Sequence, residues 1–169
     1  MGLFDSFKKK EVLEPVKASD TDIVALADGQ LIDVTTVSDP MFAEKMMGDS
    51  VAFTYTGSKV TICSPANGIL SAMFPTGHAF GVTMKNGVEL LVHIGIDTVN
   101  AKGDGFRVLG VKQDDTVRAG DPIVEVDLKK LSKKYDMPVM LIITNANAND
   151  QTITFRSPCA VKRGESVIQ

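Results

Sequence analysis

From Ile23 onward the chain alternates short, β-branched apolar segments with turn-forming pairs such as Asp28-Gly29, Thr56-Gly57, Asn67-Gly68 and Asn86-Gly87. The pattern predicts strands over Gln30–Val34, Val51–Thr56, Lys59–Cys63, Ile69–Phe74, Pro122–Val126, Val139–Thr144 and Thr152–Arg156. Short strands at such spacing specify an all-β fold, a compact antiparallel β-sandwich of the barrel-sandwich kind. One or two short helices are expected within it. Leu128 to Tyr135 has helical spacing and no breaker. Asp39-Pro40 opens a second helical stretch, with Asp39 as N-cap and Pro40 at the first helical position, that Gly48 should end. Asn145 to Asp150 reads as a polar loop.

The 169 residues, 44% of them hydrophobic, are enough for one core, so residues 21–169 are expected to form a single domain. Residues 1–20 read as a flexible arm in which Leu3, Phe4 and Phe7 precede Lys8, Lys9 and Lys10. Such an arm can make weak peripheral contact with an anionic membrane, although a frayed tail is the simpler reading. Gly2 and Ser6 also fit the loose N-myristoylation pattern. A net charge of −3 argues against nucleic-acid binding, which requires Lys and Arg to neutralise phosphates. Cys63 and Cys159 are far apart, lack zinc-site spacing and are read as reduced thiols. No apolar run has the length of a membrane span or a secretory signal, so the expected compartment is the cytoplasm.

Both histidines of the chain fall between His78 and His93, around the hairpin signal Asn86-Gly87. A two-residue loop would pair Lys85 with Val88, setting Phe80 opposite His93 and His78 opposite Gly95. Alternation then turns Val88, Leu90, Val92 and Ile94 to the core, and Glu89, Leu91, His93 and Asp97 away from it. In that register His78, Phe80 and Val82 share the His93 face, with His78 a diagonal neighbour about 7–8 Å away. A slip of one residue would separate the two histidines. Two unrelated, locally bonded histidines are the plain alternative. Their convergence on one face of one hairpin favours a site.

A neutral imidazole is a nucleophile near physiological pH, and a second one can donate a hydrogen bond to phosphoryl oxygens. The pair could equally supply two ligands to zinc. A Ser-His-Asp hydrolase is disfavoured because Asp97, four strand residues away, would lie about 13 Å from His93. Without a Lys or Arg beside His93 on this face, a phosphoryl group would be held loosely, and cations would come from partner proteins drawn to Asp39 and Asp97.

Nearly the whole chain resembles the glucose-type IIA proteins of the bacterial phosphoenolpyruvate-dependent sugar phosphotransferase system. The likeness runs from Met1-Gly-Leu-Phe-Asp5 through Phe42-Ala-Glu-Lys-Met-Met-Gly-Asp49 and His78-Ala-Phe80. It is most specific in Gly87-Val-Glu-Leu-Leu-Val-His93-Ile-Gly-Ile-Asp97-Thr-Val99 and Lys102-Gly-Asp-Gly-Phe106. The resemblance implies a β-sandwich phosphotransferase component in which His93 accepts a phosphoryl group from the carrier HPr through Nε2 and passes it to a cysteine of a sugar permease's IIB domain. It also implies that His78 supports transfer and that Thr76 hydrogen-bonds to the His78 ring. Its apolar partner rim falls on Met41, Phe42, Met46, Met47, Leu91, Ile96 and Val99, with Asp39 and Asp97 as acidic contacts and Phe80 beside them. No cofactor is required; zinc at His78 and His93 is an additional option. Regulation of other proteins by the unphosphorylated form is a further implication, since such partners would share the same face. Met46 and Met47 are expected to be at least partly exposed, as adaptable methionines suit a surface that packs against several partners. Pro75, Gly77, Leu91 and Ala101 depart from residues common in the family and bear on partner choice.

Two other classes remain. Zinc hydrolases on a related sandwich use a His-x-His pair, but positions 91 and 95 are Leu and Gly. Lipoyl or biotinyl carriers modify a lysine on a tight hairpin. Lys85 is the candidate here, without the flanking residues a ligase reads.

Overall fold

Alternation along Val88–Ile94 carries directly into the computed structural model, which describes residues 13–145 and 152–169. Eleven strands are present among these residues: β1 (Gly29–Ile32), β2 (Asp49–Thr54), β3 (Lys59–Cys63), β4 (Gly68–Met73), β5 (Ala79–Met84), β6 (Glu89–Ile94), β7 (Phe106–Val108), β8 (Thr116–Val117), β9 (Pro122–Asp127), β10 (Val139–Ile143) and β11 (Cys159–Val161). An eight-stranded sheet runs β11-β1-β2-β10-β6-β5-β4-β8, and a three-stranded sheet runs β3-β9-β7. Every strand pairing is antiparallel. Side chains of both sheets, among them Phe53, Leu70, Phe80, Val92, Ile62, Val124 and Val126, meet in one buried cluster, the expected sandwich core.

The helices are shorter than their sequence signals. α1 spans Pro40–Ala43, with the Asp39 carboxylate accepting the Met41 N–H, and ends at Glu44 rather than running to Gly48. Lys45 then adopts φ +55°, a left-handed conformation that cannot continue a helix. α2 spans Leu128–Leu131 and stops four residues before Tyr135. Thr152–Arg156 is not a strand; Phe155 makes a single isolated bridge to Ile168. The Asn145–Asp150 loop lies outside the described residues from 146 on, as does the arm through residue 12. Residues 13–20 make contacts with the sandwich. Val16 sits against Gly120 and Gly164, Arg163 donates to Glu14 O, and Lys85 pairs with Asp20 at 3.1 Å. None of the described helices is long and apolar enough to cross a membrane.

The hairpin register differs from the expected one by a residue. Met84 N–H donates to Val88 O and Gly87 N–H to Met84 O, both at 2.9 Å, closing a three-residue loop of Lys85, Asn86 and Gly87. Gly87 takes φ +87°, the left-handed position that such loops place at their end. The consequence runs down the hairpin: Ala79 faces His93, Phe80 faces Val92 and Gly81 faces Leu91. Phe80 and Val82 therefore belong to the core face. Phe80 is fully buried, so its expected place on the partner rim is corrected.

Candidate functional site

The one-residue shift ought to have sent His78 into the core with Phe80. It does not, because His78 stands just before β5, where Gly77 at φ +75° turns the chain and alternation no longer applies. Its carbonyl still accepts the Ile94 N–H at 2.7 Å, which anchors it beside the end of β6. The His78 and His93 rings lie 5.4 Å apart, nearly perpendicular at 81°. His78 is buried and His93 half-buried.

Each ring has a fixed Nδ1. His93 Nδ1 lies 2.9 Å from Gly95 O. A carbonyl only accepts, so Nδ1 carries the proton and Nε2 keeps its lone pair. His78 Nδ1 lies 2.5 Å from Thr76 Oγ1, the contact expected for Thr76. Burial lowers the His78 pKa below its ordinary value. Burial also lowers that of His93, and the neighbouring His78 adds to the effect; the Gly95 carbonyl, Asp39 and Asp97 oppose it. Both imidazoles are thus kept neutral near physiological pH.

Aromatic rings flank the pair. Phe42 of α1 packs on His93 with centroids 4.9 Å apart, and Phe74 meets His78 edge-on at 5.2 Å. Beneath His93, Met140 is its cross-strand partner and is fully buried in a small second cluster with Val34, Phe42, Ala52, Ile96 and Ile142. Met47 and Leu91 pack half-buried against that cluster. Met41, Met46, Phe74 and Val99 are exposed around it. The expected rim is therefore layered. Phe42 and Ile96 form a buried floor, Met47 and Leu91 an intermediate tier, and Met41, Met46 and Val99 the outer surface. Asp39 and Asp97 border a groove of about 830 Å³ that continues past Ile96 to Tyr135 and Asp136.

Sequence reasoning missed Phe74, Gly95 and Met140. Gly95 had a signal: a glycine interrupting a β-branched run marks a special backbone position. It adopts φ +76°, and a Cβ there would lie 2.5 Å from Thr98 Cγ2 and 2.8 Å from Met137 Sδ. No group of three or more residues able to hold a metal occurs among the described residues.

A neutral, half-buried imidazole with a free Nε2 and a second imidazole beside it, on an antiparallel sandwich with apolar surface around it, is suited to accept a group by nucleophilic attack and release it again. The chain belongs to the family described as phosphoenolpyruvate-dependent sugar phosphotransferase system, EIIA 1, whose model matches residues 21–149. It is a phosphotransferase component with a phosphocarrier role in sugar transport. It is similar to the glucose-specific EIIA component of Haemophilus influenzae, 37% identical over 99% of this chain and 97% of that protein. It is also similar to the glucose-specific EIICBA component of Staphylococcus carnosus, 36% identical over 94% of this chain but only 23% of that longer protein. A solved structure, the glucose permease IIA from Mycoplasma capricolum, matches with a TM-score of 0.78 and 38% identity, covering 87% of this chain and 93% of that one.

Proposed function

We propose that His93 is the residue that carries the phosphoryl group, taking it from phospho-HPr and passing it to a cysteine of a sugar permease's IIB domain in the cytoplasm. The observation that carries this reading is the bond from His93 Nδ1 to Gly95 O, which leaves Nε2 as the nucleophile beside His78. The Nε2 lone pair attacks phosphorus, an N–P bond forms, and the donor's phosphorus–nitrogen bond breaks. As the ring becomes cationic, the Gly95 carbonyl stabilises the Nδ1 proton. With the Thr76 hydroxyl donating to His78 Nδ1, His78 Nε2–H is free to donate to the phosphoryl oxygens. Transfer onward forms an S–P bond to the cysteine and returns the lone pair to Nε2.

The exposed Met41, Met46 and Val99, with Asp39 and Asp97 at the edge, supply a surface on which donor and acceptor dock in turn. Regulatory proteins recognising the unphosphorylated form would use the same surface. The relatives' names point to glucose as the sugar whose transport is served. The chemistry requires no cofactor; a zinc ion would find two ligands, His78 and His93, and need the rest from a partner. The hydrolase and lipoyl alternatives gain nothing from the site: the Leu91 and Gly95 side chains cannot ligate zinc, and Lys85 has no part in it.

The test is incubation with phosphoenolpyruvate, enzyme I and HPr. We expect one acid-labile phosphoryl group per chain, lost completely in His93→Ala. His78→Gln should accept it and pass it on poorly to a IIB domain. Undiminished labelling of His93→Ala would overturn the assignment.

A further inference from the structure

The turn that holds His93 is itself held from one short segment between α2 and β10. Pro138 O accepts the Gly95 N–H at 2.8 Å, and Asp136 O accepts the Ile96 N–H at 2.9 Å. The Gly95 carbonyl and the Ile96 N–H belong to the same planar peptide group. The bond to Asp136 therefore fixes the direction from which that carbonyl meets His93 Nδ1. The Asp136 side chain makes a second connection. Its Oδ2 accepts from Ser38 Oγ at 2.8 Å, joining residues 98 positions apart. Ser38 immediately precedes Asp39, the N-cap of α1, and α1 is the element that lays Phe42 on His93 and exposes Met41.

We propose that Asp136 is a positioning residue: its main chain aims the turn that holds His93, and its carboxylate, through Ser38, sets where α1 places Phe42 and Met41. The reacting ring and the surface that receives its partners are thereby kept in one register, a role that rests on the phosphocarrier reading above. The acidic residue acts here as a hydrogen-bond acceptor, not as a docking charge. Both side chains are exposed, so one such bond shifts populations by less than about tenfold.

Ser38→Ala, Asp136→Ala, their double variant and Asp136→Asn separate the side-chain hydrogen bond from a charge effect, because the asparagine side-chain oxygen still accepts from Ser38 but carries no charge. In NMR spectra of the full chain, ring-to-ring cross-peaks between Phe42 and His93 should weaken in both alanine variants. The double variant should be no worse than either single one, and Asp136→Asn should keep the wild-type contact. In the transfer assay, KM for phospho-HPr should rise about three- to fivefold in the alanine variants with kcat changed less than about twofold, and Asp136→Asn should restore most of the loss. Asparagine behaving like alanine would overturn the proposal in favour of a charge effect. So would an unchanged Phe42–His93 contact in Ser38→Ala and Asp136→Ala. The ring contact is read without phosphoryl transfer, so a wild-type chain that took no label would refute the carrier reading while the link was still decided.

Discussion

On the inner face of β2, β10 and β6, Val51, Phe53, Val139, Leu141, Val92 and Ile94 enter a cluster shared with the second sheet; on the outer face, Ala52, Met140 and Ile142 form a smaller cluster with Val34, Phe42 and Ile96, against which Ile32, Val37, Met47 and Leu91 pack half-buried. β2 and β10 thus bury side chains on both sides, whereas the outer face of β6 is only half-buried at Leu91 and His93. All five residues of β10 are buried, which is why its sequence, Val-Met-Leu-Ile-Ile, shows no alternation. The outer layer differs in that it is unfinished: it stops at His93 and at the exposed Met41, Met46 and Val99. A closed core specifies the fold. An open apolar platform lowers the polarity around two imidazoles and leaves surface for a partner to complete.

Two phenylalanines test this division directly. Phe53 faces the inner cluster and Phe42 the outer one, and both are buried. Phe53→Ala should cost about 3–5 kcal/mol in urea unfolding, the range for a buried aromatic. The phosphoryl acceptance of the folded fraction should survive it. Phe42→Ala should cost less, about 3 kcal/mol at the low end of that range, since its cluster is small and lies at the open edge of the sheet, and yet slow transfer because His93 loses its packing partner. Equal stability losses with unimpaired transfer in Phe42→Ala would erase the distinction.

A smaller contrast is available at two glycines. Gly57 (φ +91°) has open space where a Cβ would go, whereas Gly95 (φ +76°) has Thr98 and Met137 there. Gly57→Ala should cost about 1–2 kcal/mol, the strain of a left-handed residue alone. Gly95→Ala adds steric contact and should cost about 2–4 kcal/mol. Only Gly95→Ala should also shift the His93 ring resonances, because its carbonyl holds Nδ1. Equal losses in the two variants, by thermal unfolding, would show that the turn around Gly95 can yield.

The inner face was legible because it obeys period two: Val88, Leu90, Val92 and Ile94 are all buried, as alternation requires. The outer face was legible only in part. Asn86-Gly87 signalled a hairpin, but a dipeptide does not say whether the loop holds two residues or three, and that one residue decided whether Phe80 was core or rim. The pairing of the histidines was reached through a register the chain does not have; Gly77 and the turn before β5 restore the contact. Family resemblance supplied Thr76 and the rim, neither of which periodicity could place. Ser38 and Asp136 were beyond reach, since nothing local connects two exposed polar residues so far apart.

The smallest expected effect concerns acid. His93 is held below its ordinary pKa of 6.5 first by burial and then by His78, and His78 is lowered by burial, so the folded chain resists protonation at both rings. In the unfolded chain both titrate near 6.5. As pH falls through that value the unfolded state binds more protons than the folded one, and stability declines until the folded-state values are passed, below which this contribution levels off. Urea midpoints measured between about pH 7.5 and 5.5 should therefore decrease for the wild type. They should decrease less for a His78→Gln/His93→Gln double variant, while losses at lower pH, which come from carboxylates, persist in both. Phosphoryl acceptance should follow the same logic: because Nε2 of His93 stays unprotonated in the folded state, the initial rate should hold as pH falls through 6.5 and drop only beneath it. A double variant whose midpoint tracks the wild type across that window would show that the platform beneath His93 leaves the rings as accessible to protons as they are in the unfolded chain.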